Sequence, residues 1–178
     1  MSSTSPPIPV PPVKTAQGKP SRGLVWGMLA FFLLACYGTA AVGSRTTIPE
    51  IPVWYAQLNK PTWNPPSWLF GPVWTLLYTL MAIAAWRVWL SPKRFEVRLA
   101  LALFFCQLLQ NAAWSEVFFR FHQPGWALAT ILLLWVTILA TLIAFWRISW
   151  AAGWMMVPYL AWVSFATVLN AAIWQLNP

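Results

Sequence analysis

Residues Leu24–Gly43 read LVWGMLAFFLLACYGTAAVG, twenty positions without a single charged side chain. At 1.5 Å of rise per residue, a helix of that length crosses the roughly 30 Å hydrocarbon layer of a bilayer. Four more segments downstream have the same character: about Trp68 to Leu90, Leu99 to Phe119, Trp126 to Trp146 and Ala151 to Leu176. The expected fold class is therefore an all-α integral membrane protein, a bundle of five transmembrane helices. Gly71-Pro72 falls in the first turn of the second segment, where proline is tolerated. Pro158 lies inside the fifth and predicts a kinked or later start.

The composition agrees. Of the 178 residues, 60% are apolar and only 8% charged, against about a quarter charged in soluble domains. That leaves too little polar surface to face water, so the outside of the bundle faces lipid. The net charge of +8 is scattered between apolar segments and forms no basic patch, which argues against a nucleic-acid partner. It reads instead as a topological signal. Lys14, Lys19, Arg22, Arg87, Lys93, Arg94, Arg98 and Arg147 fall on the side of the N-terminus; Arg45, Lys60 and Arg120 fall on the other. The excess predicts a cytoplasmic N-terminus in a bacterial inner membrane.

Outside the helices, residues 1–23 form a polar stretch with six prolines between Pro6 and Pro20, which reads as a disordered tail. The sequence around Leu33-Leu34-Ala35-Cys36 resembles a lipoprotein signal. However, the apolar run continues past Cys36 to Val42, which favours a retained helix. The membrane domain is then 24–178, with a long loop at 44–67 between helices one and two. A loop of that length is more than a bundle connection needs and suggests a lid or binding element.

Catalytic and metal-binding patterns are missing. Cys36 and Cys106 lie in apolar stretches at no ligand spacing, and His122 has no Cys or His neighbour with which to hold a metal. No Ser-His-Asp set, phosphate loop or HExxH motif occurs. Glu116 and Arg120, four residues apart, read as a structural ion pair.

What stands out is aromatic content, with fifteen tryptophans. Trp26, Trp86, Trp89, Trp126, Trp146, Trp150, Trp154 and Trp174 lie near helix ends, where indole rings sit at the lipid headgroups. Trp74, Trp114 and Trp162 fall deeper, beside polar residues. On the third helix Gln107, Gln110, Asn111, Trp114 and Phe118 follow spacings of three and four and share a face. Tyr159, Trp162, Ala166 and Asn170 do the same on the fifth, and Trp74 and Tyr78 on the second. Uncharged amides are costly in hydrocarbon unless paired, so these stripes turn inward. Periodicity leaves open whether they pack as solid core or line a cavity. A cavity so lined would suit a flat aromatic ligand, with Asn111 as its orienting polar contact.

The stretch Trp54-Tyr55-Ala56-Gln57-Leu58-Asn59-Lys60-Pro61-Thr62-Trp63-Asn64-Pro65-Pro66-Ser67-Trp68 resembles the signature loop of the translocator/tryptophan-rich sensory protein family. Gly71-Pro72-Val73-Trp74, Leu77-Tyr78, Asn111 with Trp114, Phe118-Phe119, Gly125-Trp126-Ala127-Leu128, and Pro158-Tyr159 with Trp162 extend it over nearly the whole chain. The resemblance implies a five-helix bundle, usually a homodimer, with a pocket open toward the loop between helices one and two. It implies porphyrin-type ligands, protoporphyrin IX or haem, and no required cofactor. The implied ligand-binding residues are Tyr55, Trp74, Tyr78, Asn111, Trp114, Ser115, Trp162 and Ala166. Ala171 and Gln175 stand where the family's sterol segment needs a tyrosine and a basic residue, which argues against a sterol ligand. Val53, Tyr55 and Lys60 satisfy only the loose sterol pattern, and in a loop.

Three functions compete. The first is a membrane receptor or sensor for porphyrins. The second is an enzyme that degrades porphyrin in light, with Trp74 and Trp162 as redox-active candidates implied by the resemblance; no acid, base or metal supports it independently. The third is a tetrapyrrole or sterol transporter, against which stands the lack of internal repeats. Ala102 and Cys106 are small residues that suit a helix contact between two copies.

Overall fold

In a computed structural model, the structure describes residues 20–178. The polar tail expected over residues 1–23 lies, up to residue 19, outside the described residues. Five helices follow: α1 (Arg22–Glu50), α2 (Phe70–Trp89), α3 (Arg94–Ser115), α4 (Pro124–Ile148) and α5 (Trp150–Leu176). With the turns that extend them, all five are long and apolar enough to cross a membrane. The chain is thus an all-α multi-pass membrane protein, with no strand among the described residues.

Three of the helices begin where the sequence supplies the chemistry. Ser21 Oγ accepts from the Leu24 N–H at 3.3 Å and caps α1. Pro124 takes the first turn of α4, where a missing N–H costs nothing. Ser149 ends α4 in an extended conformation and caps α5 through a 3.4 Å contact from the Ala152 N–H. That one-residue joint is tight. A Cβ on Gly153 would lie 2.6 Å from the Trp146 ring, so only glycine lets the indole fold over the corner. α5 begins at Trp150, ahead of Pro158, so the proline does not delay its start.

The first interhelical segment departs from expectation. The loop expected over 44–67 is helical for half its length: α1 runs to Glu50 and continues through a π-helical turn, Ile51–Tyr55. Pro49 and Pro52 would ordinarily end a helix by removing N–H donors. Here the wider π turn absorbs the mismatch, as such turns do near functional sites. Tertiary contacts then hold the extension: Trp54 stacks on His122 with ring centroids 4.3 Å apart, and His122 Nε2 lies 3.0 Å from Glu50 Oε2. The true loop spans 58–66, before a 3-10 turn at Ser67–Leu69. α3 is extended in the same way by a π turn, Glu116–Arg120, which carries the expected Glu116–Arg120 pair at 3.2 Å.

In the bundle α1 packs beside α2 and α3, α3 beside α4, α4 beside α5, and α5 returns to α2. Lipid tails are as apolar as leucine, so close fit rather than water exclusion holds helices together. Ala82, Ala84 and Ala85 on α2 are fully buried and let neighbours approach around Phe104, Phe145 and Met156. Outward stand Leu34, Leu76, Leu109, Leu133 and Val136, as a lipid-facing surface requires. Hydroxyls satisfy themselves against the preceding turn: Thr137 Oγ1 donates to the Leu133 carbonyl and Thr141 Oγ1 to that of Thr137. α1 contributes only Phe32 and Cys36 to the buried core.

Trp26, Trp126, Trp150, Trp154 and Trp174 are exposed near helix ends, as an interfacial belt requires. Trp86 is half-buried, with its Nε1–H donating to the Val25 carbonyl at 2.9 Å.

Candidate functional site: an intramembrane cavity

Toward the 58–66 loop, α1, α2, α3 and α5 part around a cavity of about 360 Å³. That volume lies in the range of small-molecule sites. All the residues expected to bind ligand line it: Tyr55 from the end of α1, Trp74 and Tyr78 from α2, Asn111, Trp114 and Ser115 from α3, and Trp162 and Ala166 from α5. The stripes therefore border a hollow in part, while Gln107 and Tyr159 are buried in the packed core. No lining residue is charged, so the wall favours an uncharged flat surface.

One wall is built on α2. Trp74 and Tyr78, one turn apart, hold their rings 5.4 Å apart at 30°, and Trp74 meets the Tyr159 ring edge-on at 6.2 Å. Behind it lies a polar chain. Tyr78 Oη donates to Asn111 Oδ1 at 2.7 Å; Asn111 Nδ2 donates to Tyr159 Oη at 3.1 Å; Tyr159 Oη donates to Gln107 Oε1 at 2.9 Å. Asn111 thus lines the cavity while each of its polar ends makes one bond inside the protein. Of this chain, Tyr78 and Asn111 line the cavity, while Tyr159 and Gln107 are fully buried away from it.

The opposite wall belongs to α3 and α5. Trp114 stacks on Phe118 at 5.4 Å, and its Nε1–H donates to Asn170 Oδ1 at 3.1 Å, while Asn170 Nδ2 donates to the Pro124 carbonyl at 2.8 Å. Asn111, Asn170 and the Gln107 carbonyl are thus paired across helices, whereas Gln110 bonds only within α3. Trp162 is braced by Phe70 and Phe165.

The 58–66 loop is held against the end of α1 and against α5. Tyr55 Oη donates to Asn64 Oδ1 at 2.7 Å, and Trp63 meets Phe165 edge-on at 5.8 Å. Lys60 Nζ donates to the carbonyls of Tyr55, Ala56 and Leu58 at 2.6, 3.1 and 2.9 Å, which satisfies the free C=O groups where α1 ends.

The polar stripe of α3 reaches the cavity only in part. Gln110 does not line the cavity; it is half-buried, with Nε2 on Cys106 Sγ at 3.4 Å. α1 lines the cavity through Tyr37, Ala40, Ser44, Thr47 and Ile51, residues at helical spacing that go unnoticed once the helix is ended at Gly43. Gly43 lets α1 come close to α3 there: an added Cβ would lie 3.1 Å from Ser115 Oγ. His122 lies outside the cavity, under Trp54. Among the described residues no group of His, Cys, Asp or Glu could hold a metal ion.

The family model for the TspO/MBR family matches residues 31–175. The chain is 44% identical over 154 residues to the tryptophan-rich protein TspO of Chlorobaculum tepidum, covering 84% of this chain and 96% of that one. It is 40% identical over 152 residues to the tryptophan-rich sensory protein of Cereibacter sphaeroides, covering 85% and 92%. With the human translocator protein it shares 40% identity over 146 residues, covering 81% and 84%. With five membrane-crossing helices and a match that runs from within α1 to the end of α5, this chain belongs to the TspO/MBR family.

Proposed function

We propose that this protein is a membrane receptor or sensor that binds a porphyrin in the cavity between α1, α2, α3 and α5. The observation that carries the reading is the lining itself. Trp74, Trp114 and Trp162 stand on three helices around one uncharged hollow, each half-buried with ring surface left over. Such walls hold a flat conjugated macrocycle by ring contact, each aromatic contributing on the order of 1 kcal/mol beyond its buried area. A porphyrin's carboxylates would remain at the loop end, since no basic residue lines the interior.

The lining favours a metal-free ring such as protoporphyrin IX over haem. It contains no His, Cys or Met, and its tyrosines Tyr37, Tyr55 and Tyr78 are hydrogen-bonded to Thr79, Asn64 and Asn111. An iron atom would find none of its commonest axial ligands, His, Cys or Met, in the wall. The names of two relatives, sensory protein and translocator protein, fit ligand handling at a membrane. The proposed setting is a bacterial inner membrane with the N-terminus in the cytoplasm, and a homodimer.

Titration with protoporphyrin IX, read by quenching of tryptophan fluorescence, tests this. Trp114→Ala and Trp162→Ala should each weaken binding by about tenfold. Unchanged affinity in both variants would remove the pocket assignment.

A further inference from the structure

Gln107 is fully buried, yet its Nε2 has no hydrogen-bond partner among the described residues. An orphaned buried N–H donor is rarer and costlier than an under-satisfied carbonyl. Gln107 is also the far end of the chain that starts at the cavity wall with Tyr78. In the arrangement described above every hydrogen points the same way, from Tyr78 through Asn111 and Tyr159 to Gln107.

The same heavy-atom framework supports the opposite arrangement. If both amides turn over, Gln107 Nε2 donates to Tyr159 Oη, Tyr159 donates to Asn111 Oδ1, and Asn111 Nδ2 donates to Tyr78 Oη. Amide oxygen and nitrogen have the same shape, and hydroxyls both donate and accept. Three hydrogen bonds are kept, and the unpartnered atom of Gln107 becomes its carbonyl instead of its NH₂. At the cavity the effect is inverted. In the first arrangement Tyr78 directs its proton to Asn111 and offers the cavity a lone pair; in the second its O–H is free to donate into the cavity.

We propose that Tyr78, Asn111, Tyr159 and Gln107 form a reversible hydrogen-bond wire, with Gln107 as the positioning residue that sets whether the pocket offers its ligand an acceptor or a donor. Gln107, Asn111, Tyr78 and Tyr159 are at most 4% exposed, so water cannot readily substitute for a member of the chain. One cavity can thereby accept flat ligands that present N–H groups and flat ligands that present carbonyls. The inference rests on the reading of this cavity as a site for flat ligands.

Two tricyclic probes of similar shape separate the states: carbazole, which presents an N–H, and fluorenone, which presents a carbonyl. Calorimetric titration of the full chain in detergent micelles reads both affinities. Tyr78→Phe should weaken both probes, because the hydroxyl serves each in turn; weakening of only one would mean a wire fixed in one direction and would overturn the proposal. Gln107→Met removes the acceptor that the first arrangement needs. It should shift the affinity ratio toward fluorenone by about tenfold. Tyr159→Phe cuts the wire and should shift the ratio the same way, with Gln107→Met adding nothing in that background. It also gives the answer alone if Gln107→Met does not fold. An unchanged ratio in the folded variants would overturn the wire while leaving the pocket intact. Wild-type protein that takes neither probe nor protoporphyrin IX would overturn the pocket reading itself, and the wire with it.

Discussion

Asn59 and Asn177, 118 positions apart in the chain, are paired twice: the Asn59 N–H donates to Asn177 Oδ1 at 2.9 Å, and Asn177 Nδ2 donates to the Asn59 carbonyl at 2.9 Å. A third bond runs from Asn59 Nδ2 to the Leu176 carbonyl at 3.3 Å. The 58–66 loop is thus tied near its start to the C-terminal end of α5 and the residue that follows it. Asn177 is anchored in turn by donating to the Ile173 carbonyl at 2.8 Å.

Asn177→Ala removes both bonds of the pair and should free the 58–66 loop without altering the cavity wall. The latch is partly exposed, so its loss should cost about 1 kcal/mol in loop attachment. Hydrogen exchange at Asn59 and the neighbouring loop amides should accelerate several-fold, and protoporphyrin IX should dissociate faster. Unchanged exchange at those amides would mean that Tyr55–Asn64 and the Trp63–Phe165 contact hold the loop unaided.

Lys60→Met keeps the length of the side chain and removes the ammonium from three carbonyls. Hydrogen bonds to charged groups contribute about 1.5–3 kcal/mol each at most, less where water competes as it does here. The expected result is a loss of about 1–2 kcal/mol in local stability at the end of α1. Faster exchange should be confined to Trp54–Leu58, with the melting of the bundle little changed. A fall in global melting temperature with no local change would contradict the capping role.

Gly43→Ala tests the close approach of α1 to α3. Replacing glycine within a helix should gain about 1 kcal/mol from helix propensity. Against that, the new Cβ would sit 3.1 Å from Ser115 Oγ and require a shift. The single variant should therefore be near neutral in thermal unfolding, whereas Gly43→Ala combined with Ser115→Ala should be more stable than Ser115→Ala alone. Equal effects in the two backgrounds would show that the hydroxyl does not limit the approach.

Much of this protein can be read from its residues in order. Uncharged runs such as Leu24–Gly43 determine helices across a bilayer, because hydrocarbon leaves the backbone no partner but itself. The three-and-four spacing of Trp114, Asn111 and Phe118, and of Trp162 and Asn170, likewise determines which faces turn from lipid, because an amide there must find a partner. The family-like signature marks the pocket residues, and all of them line the cavity. Tertiary structure alone decided the rest. That α1 continues past Pro49 and Pro52 depends on Trp54 and Glu50 meeting His122 from a distant turn, so local rules that stop a helix at proline lose to long-range contacts. That Asn111 is bound up with Tyr78 and Tyr159 depends on three helices meeting at one level of the membrane. Spacing along one helix carries no information about the register of its neighbours, and it is that register which pairs the amides and leaves the hollow.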